Sequence, residues 1–166
     1  MFMLIGMVFS VMLGALLHFV YDWSGRSILV AFMAPTNESF FEHLKLLLTP
    51  YLLWMLAEYV HYGQYMHAFV PGKVAGLYLG FFLMIGLHLL YTQLLGKTII
   101  ALDVALFIFA VFAAFVTAEF CMTLLIFDHL LPEVTADFIL VATVMLFAVF
   151  TVYAPHHWLF QPPKRQ

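Results

Sequence analysis

Ala34-Pro35-Thr36-Asn37-Glu38-Ser39-Phe40-Phe41-Glu42-His43-Leu44-Lys45 is the densest run of polar side chains in a chain that is otherwise nearly all hydrocarbon. Ser39 followed three residues later by Glu42 has the spacing of a capping box. In that motif the hydroxyl accepts an orphan backbone N–H and the carboxylate reaches back to the cap. Pro35 disfavours helix at Ala34, so the chain arrives extended and turns into a helix near Ser39. A cap explains Ser39 and Glu42. It leaves Asn37, Glu38 and His43 to be explained.

Outward from this stretch, 66% of the 166 residues are hydrophobic and only 9% are charged. A soluble domain carries about 25% charged residues, so the composition is that of an integral membrane protein. The expected location is the cell membrane, multi-pass, with the lipid bilayer as principal partner. Net charge is −3 and there is no basic run, which argues against nucleic acid. Cys121 is the single cysteine, so neither an intramolecular disulfide nor a cysteine zinc cluster can form. The opening residues Met1 to Gly6 lack the basic region of a cleavable signal, and the first apolar run is expected to be retained.

Five apolar runs of about 20 residues or more are long enough to cross ~30 Å of hydrocarbon. They fall at about 2–21, 44–65, 73–95, 98–127 and 134–153, with a long first connection over 22–43. The expected fold is a single all-α domain, a bundle of five transmembrane helices. Pro50 should kink the second span, and Pro71-Gly72 and Gly96-Lys97 read as turns. The run from Ile28 to Ala34 is too short to span, and either dips into the interface or folds back on the bundle. With the N-terminus outside, the inner segments hold Arg26, Lys45, Lys97, Lys164 and Arg165 and the outer ones only Lys73, which favours N-out, C-in.

Gly6, Ser10 and Gly14 form a small-residue ridge on the first run, and Gly72, Gly76 and Gly80 another on the third. These ridges suit helix packing and are also candidate faces for a homo-oligomer. The topology sorts the remaining polar groups by depth. At the inner leaflet fall His18, Asp22, Asn37, Glu38, Glu42, His43 and His88, with Asp103 and the pair His156-His157. Toward the outer leaflet fall Glu58, His61 and Glu119, with His67, Asp128 and His129 nearer water.

The inner cluster has the donor types of a metal or proton site. His18 and Asp22 are at i, i+4, His43 and Glu42 open the second helix, and His88 comes from the third span. Imidazole with carboxylate suits a divalent metal such as zinc. The plain alternative is structural: Glu42 caps, Glu38 sits at a positive helix end, Asp22 pairs with Arg26. The outer cluster contains Glu58-x-x-His61, a spacing used in helical di-metal bundles, where a second copy and further carboxylates are also required. His156-His157 follows Pro155, and adjacent residues diverge, so this pair is a poor ligand set.

Leu17-His18-Phe19-Val20-Tyr21-Asp22-Trp23-Ser24-Gly25, the block from Ala34 to Pro50, and Tyr153-Ala154-Pro155 with Leu159-Phe160 together resemble a family of small five-span bacterial membrane proteins of unknown function. The resemblance covers nearly the whole chain and is most specific at Asn37 to Lys45. It implies a stand-alone membrane domain and supplies no activity. Phe41 departs from the family pattern, where Trp is usual, and His156 stands in place of a second Pro.

Three functional classes remain open on the sequence. The leading one is a cytoplasmic-side His/Glu/Asp pocket that binds or transports a cation, proton or small polar substrate. The others are a metal-dependent intramembrane hydrolase and a non-catalytic scaffold or accessory subunit. Transport requires a polar path joining the inner cluster to Glu58, His61 and Glu119.

Overall fold

A computed structural model describes residues 2–124 and 132–161; Asp128, His129, Lys164 and Arg165 lie outside the described residues. Every regular element among the described residues is helical: α1 (Phe2–Trp23), α2 (Ile28–Ala31), α3 (Phe40–His43), α4 (Lys45–His61), α5 (Phe69–Leu95), α6 (Ile100–Thr123) and α7 (Glu133–Val152). Short 3-10 turns occupy Gly63–Tyr65 and Trp158–Phe160.

Four of these helices, α1, α5, α6 and α7, are long and apolar enough to cross a membrane. The expected second span, 44–65, is not among them. α4 has 17 residues and carries Lys45 and Glu58. It is nevertheless the centre of the fold. Leu47, Leu48 and Tyr51 of α4 are buried among Met7 of α1, Leu77 and Phe81 of α5, Val111, Ala114 and Phe115 of α6, and Phe147 of α7. The outer faces of the surrounding helices are as apolar as their inner faces: Val8 and Met12 on α1 are exposed, as are Phe138 and Met145 on α7. Apolar side chains all round a helix mark a lipid-facing one.

The small-residue ridges are used inside the chain. α5 and α6 make the most extensive helix pair, because Gly76 lets the backbones touch: a Cβ there would collide with the Ala114 carbonyl oxygen. On α1, a Cβ at Gly14 would lie 2.5 Å from the Leu46 carbonyl oxygen. That carbonyl is four residues before Pro50, which has no N–H to offer it. A second copy of the chain would therefore have to dock through another face.

The start of α5 differs from the sequence reading. Pro71-Gly72 lies inside the first turn of α5, where a proline's missing N–H is one of the orphans anyway. The turn comes earlier, over Tyr62 to Ala68, and Ala68 adopts a left-handed conformation (φ 51°). The connection after α1 folds back on the bundle: Ala31 and Ala34 are buried, and Ala34 packs with Leu17 and Leu46. Thr49 Oγ1 donates to the Met33 carbonyl at 2.7 Å and Lys45 Nζ to the Ala31 carbonyl at 2.9 Å.

A candidate cation site at the end of the first helix

The polar stretch after Pro35 builds its own frame. Ser39 is the N-cap of α3, and its hydroxyl accepts from the Glu42 N–H at 3.4 Å. The other half of the expected capping box is absent. The Ser39 N–H donates instead to Asn37 Oδ1 at 2.8 Å, so Asn37 supplies the reciprocal contact. The Glu42 carboxylate turns inward and accepts from Thr36 N–H (2.7 Å), Thr36 Oγ1 (3.0 Å) and Lys45 Nζ (2.8 Å). Both ends of that ion pair are buried.

With Asn37 and Glu42 committed, Glu38 projects between two histidines. Its Oε2 lies 3.3 Å from His43 Nε2 and its Oε1 3.9 Å from His18 Nε2. One donor atom from each of His18, Glu38 and His43 falls within 4.8 Å of the others, and the two imidazole rings are 5.4 Å apart. His43 Nδ1 is 2.9 Å from the Ser39 carbonyl oxygen, which can only accept. The ring therefore carries a hydrogen on Nδ1 and directs Nε2 toward Glu38. The histidines are about one-third exposed and the Glu38 side chain is 65% exposed, so the group opens to the surroundings. Among the described residues it is the one cluster of His, Cys and acidic groups with ligand spacing.

The other expected members of the inner cluster lie elsewhere. Asp22 pairs with Arg26 one turn on, Nε to Oδ1 at 3.3 Å, and both are exposed. His88 does not share the pocket with His18 and His43. Its Nδ1 lies 2.7 Å from Asp103 Oδ1, which also accepts from the Tyr91 hydroxyl, and Phe40 packs edge-on to its ring. Tyr91 further accepts from the Ile99 N–H, so this network fastens the turn between α5 and α6. His156 and His157 are exposed, and His157 Nδ1 accepts from the Leu159 N–H.

The outer residues do not form a metal pair. Glu58 is fully buried against Lys73 of α5 and accepts from the Tyr62 hydroxyl at 2.8 Å. His61 faces away and stacks on Phe2 at 4.7 Å, while Glu119 is half-buried on α6. Lys73 sits over the Phe69 and Phe115 rings, 5.4 and 5.3 Å from their centroids. The burial of Lys45 and Lys73 escaped the sequence reading, which put Lys73 at the outer end of the third span. Between the two charged layers α4 presents Leu47, Leu48, Tyr51 and Met55 to the core, all buried.

No curated protein and no solved structure matches the chain. A family model described as a family of unknown function, DUF6512, matches residues 1–163. That match takes in every element described above, and the chain belongs to this family.

Proposed function

We propose that the chain is an integral membrane protein of the cell membrane that binds a cation at its cytoplasmic face through His18, Glu38 and His43. In this reading α3 and α4 form the central, fifth crossing of the bundle. From Phe40 to His61 they rise about 33 Å at 1.5 Å per residue, enough for the hydrocarbon layer. Lys45 and Lys73 are neutralised in buried pairs. Setting them aside leaves Arg26, Lys97, Lys164 and Arg165, all on one side if α4 crosses, which supports N-out, C-in.

The observation that carries the reading is the convergence of two imidazole nitrogens and a carboxylate on one gap. Arg26 is held by Asp22 and Lys45 by Glu42. The apolar filling of about 20 Å between Lys45 and Glu58 on α4 supports binding at one face over passage across the bilayer. Thermal unfolding of the purified chain in detergent, against a panel of mono- and divalent cations and pH, tests the proposal. At least one cation should stabilise the wild type and fail to stabilise His18→Ala. If none does so, the proposal falls.

A further inference from the structure

Resting on that reading, we infer that the cation is a divalent transition metal of the zinc class, held by His18 Nε2, His43 Nε2 and the Glu38 carboxylate with one coordination position open to water. The donor set excludes the hard cations first. Calcium and magnesium take oxygen ligands, whereas imidazole with carboxylate suits zinc, iron, cobalt and nickel.

Distance separates a metal from a shared proton. A charge-assisted N–H to carboxylate hydrogen bond is about 2.7–2.9 Å long. The two His–Glu approaches are 3.3 and 3.9 Å. Two donors each about 2.0–2.1 Å from a common zinc, at a tetrahedral angle, stand about 3.4 Å apart. The His43–Glu38 edge already has that length. The His18–Glu38 edge closes by rotation of the exposed Glu38 side chain, and the His18–His43 edge by small rotations of the two part-exposed imidazoles.

The tautomer points the same way. With Nδ1–H held by the Ser39 carbonyl, Nε2 is the ring nitrogen left to coordinate, and it faces the Glu38 carboxylate at 3.3 Å. A backbone carbonyl on the far nitrogen is the usual outer support of a metal-ligating histidine. The three ligands come from three separate pieces of chain: α1, the connection and α3. Three protein ligands with the fourth position facing outward is the arrangement of an exchangeable site, as opposed to a closed structural one.

The full chain in detergent, titrated with Co²⁺, tests this. One equivalent should bind with visible ligand-field bands. Zn²⁺ should abolish the bands, Mg²⁺ and Ca²⁺ should not, and azide should shift them through the open position. Losing an outer-shell partner weakens metal binding about 10–100-fold. His18→Ala and His43→Ala should each do at least that, as should Glu38→Gln, whose exposed site keeps the fold intact. His88→Ala should bind as the wild type does. Absence of bands, or bands unchanged in Glu38→Gln, overturns the inference. If Ca²⁺, Mg²⁺ or protonation alone stabilises the chain in a His18-dependent way, the metal class is wrong and cation binding stands. If no cation does, both fall.

Discussion

Lys45 Nζ donates to the backbone carbonyl of Ala31, fourteen residues earlier, while also closing on Glu42. One fully buried ammonium thereby joins the start of the central helix to the connection that delivers Glu38. Removing it leaves the Ala31 carbonyl without that donor and the Glu42 carboxylate without its cation in a dry place. Lys45→Met should cost about 3–5 kcal/mol, read by unfolding in detergent. The double variant Lys45→Met with Glu42→Gln should cost less than the single one, since the buried charge is gone.

The second buried pair should behave alike, with a graded contribution from its neutral partner. Lys73→Met should lower stability by about 3–5 kcal/mol, because it strands the Glu58 carboxylate. Tyr62→Phe removes one hydrogen bond to that charged group and should cost about 1.5–3 kcal/mol. Equal losses from the two variants would mean that the ion pair contributes nothing beyond the hydroxyl.

At the cap, the long Ser39 hydroxyl contact of 3.4 Å and the short Asn37 contact of 2.8 Å set an order. Both Ser39→Ala and Asn37→Ala should fall within about 0.5–2 kcal/mol, with Asn37→Ala the more damaging. Ser39→Asp should fail to rescue the hydroxyl's loss, because Ser39 is completely buried and a carboxylate there meets no cation. Cation affinity should fall in Asn37→Ala as well, since Asn37 fixes the backbone beside Glu38.

Glycines separate packing from permissiveness. Gly76→Ala drives a methyl into the Ala114 carbonyl, and overpacking of this kind costs about 1–3 kcal/mol. Gly86→Ala, on the same helix, meets nothing nearer than Phe82 Cζ at 4.0 Å. It should be neutral or slightly stabilising, as expected from helix propensity. The pair of melting curves checks both.

Topology is accessible to labelling, because the single native cysteine, Cys121, is buried. A cysteine introduced at Gln64 should react with a membrane-impermeant reagent added to intact cells, and one at Lys97 only after lysis. Reaction at Lys97 in intact cells would contradict the proposed orientation.

The all-helical fold and four of the five apolar runs were legible because they rest on a strong pattern, long stretches of hydrocarbon side chains. The pairing of polar groups was not. Glu42 had Lys45 three residues away across the junction of α3 and α4, a neighbour that the capping-box spacing concealed. His88 looked equivalent to His18 and His43 because depth alone was being read. Its partner, Asp103, returns across the turn between α5 and α6, and no local spacing announces that contact. The start of α5 was misplaced through Pro71, which reads as a turn residue and is equally at home in a first helical turn. The left-handed Ala68 that makes the real turn carries no composition signal. Depth did bring His18 and His43 together, since α1 ends where α3 begins.

Within the proposed topology, the burial of Glu58 against Lys73 also bears on how the protein enters a membrane. A growing chain exposes Glu58 before Lys73 has been synthesised, and an unpaired charge in the last turn of a crossing helix opposes insertion, by less than the ~2.5–3.5 kcal/mol it would cost at the helix centre. α4 therefore has little reason to partition into lipid by itself. Its insertion waits for α5, and the two enter as a hairpin whose opposite charges meet on the way in. The central helix of the finished bundle is thus recruited late, by a lysine that belongs to its successor.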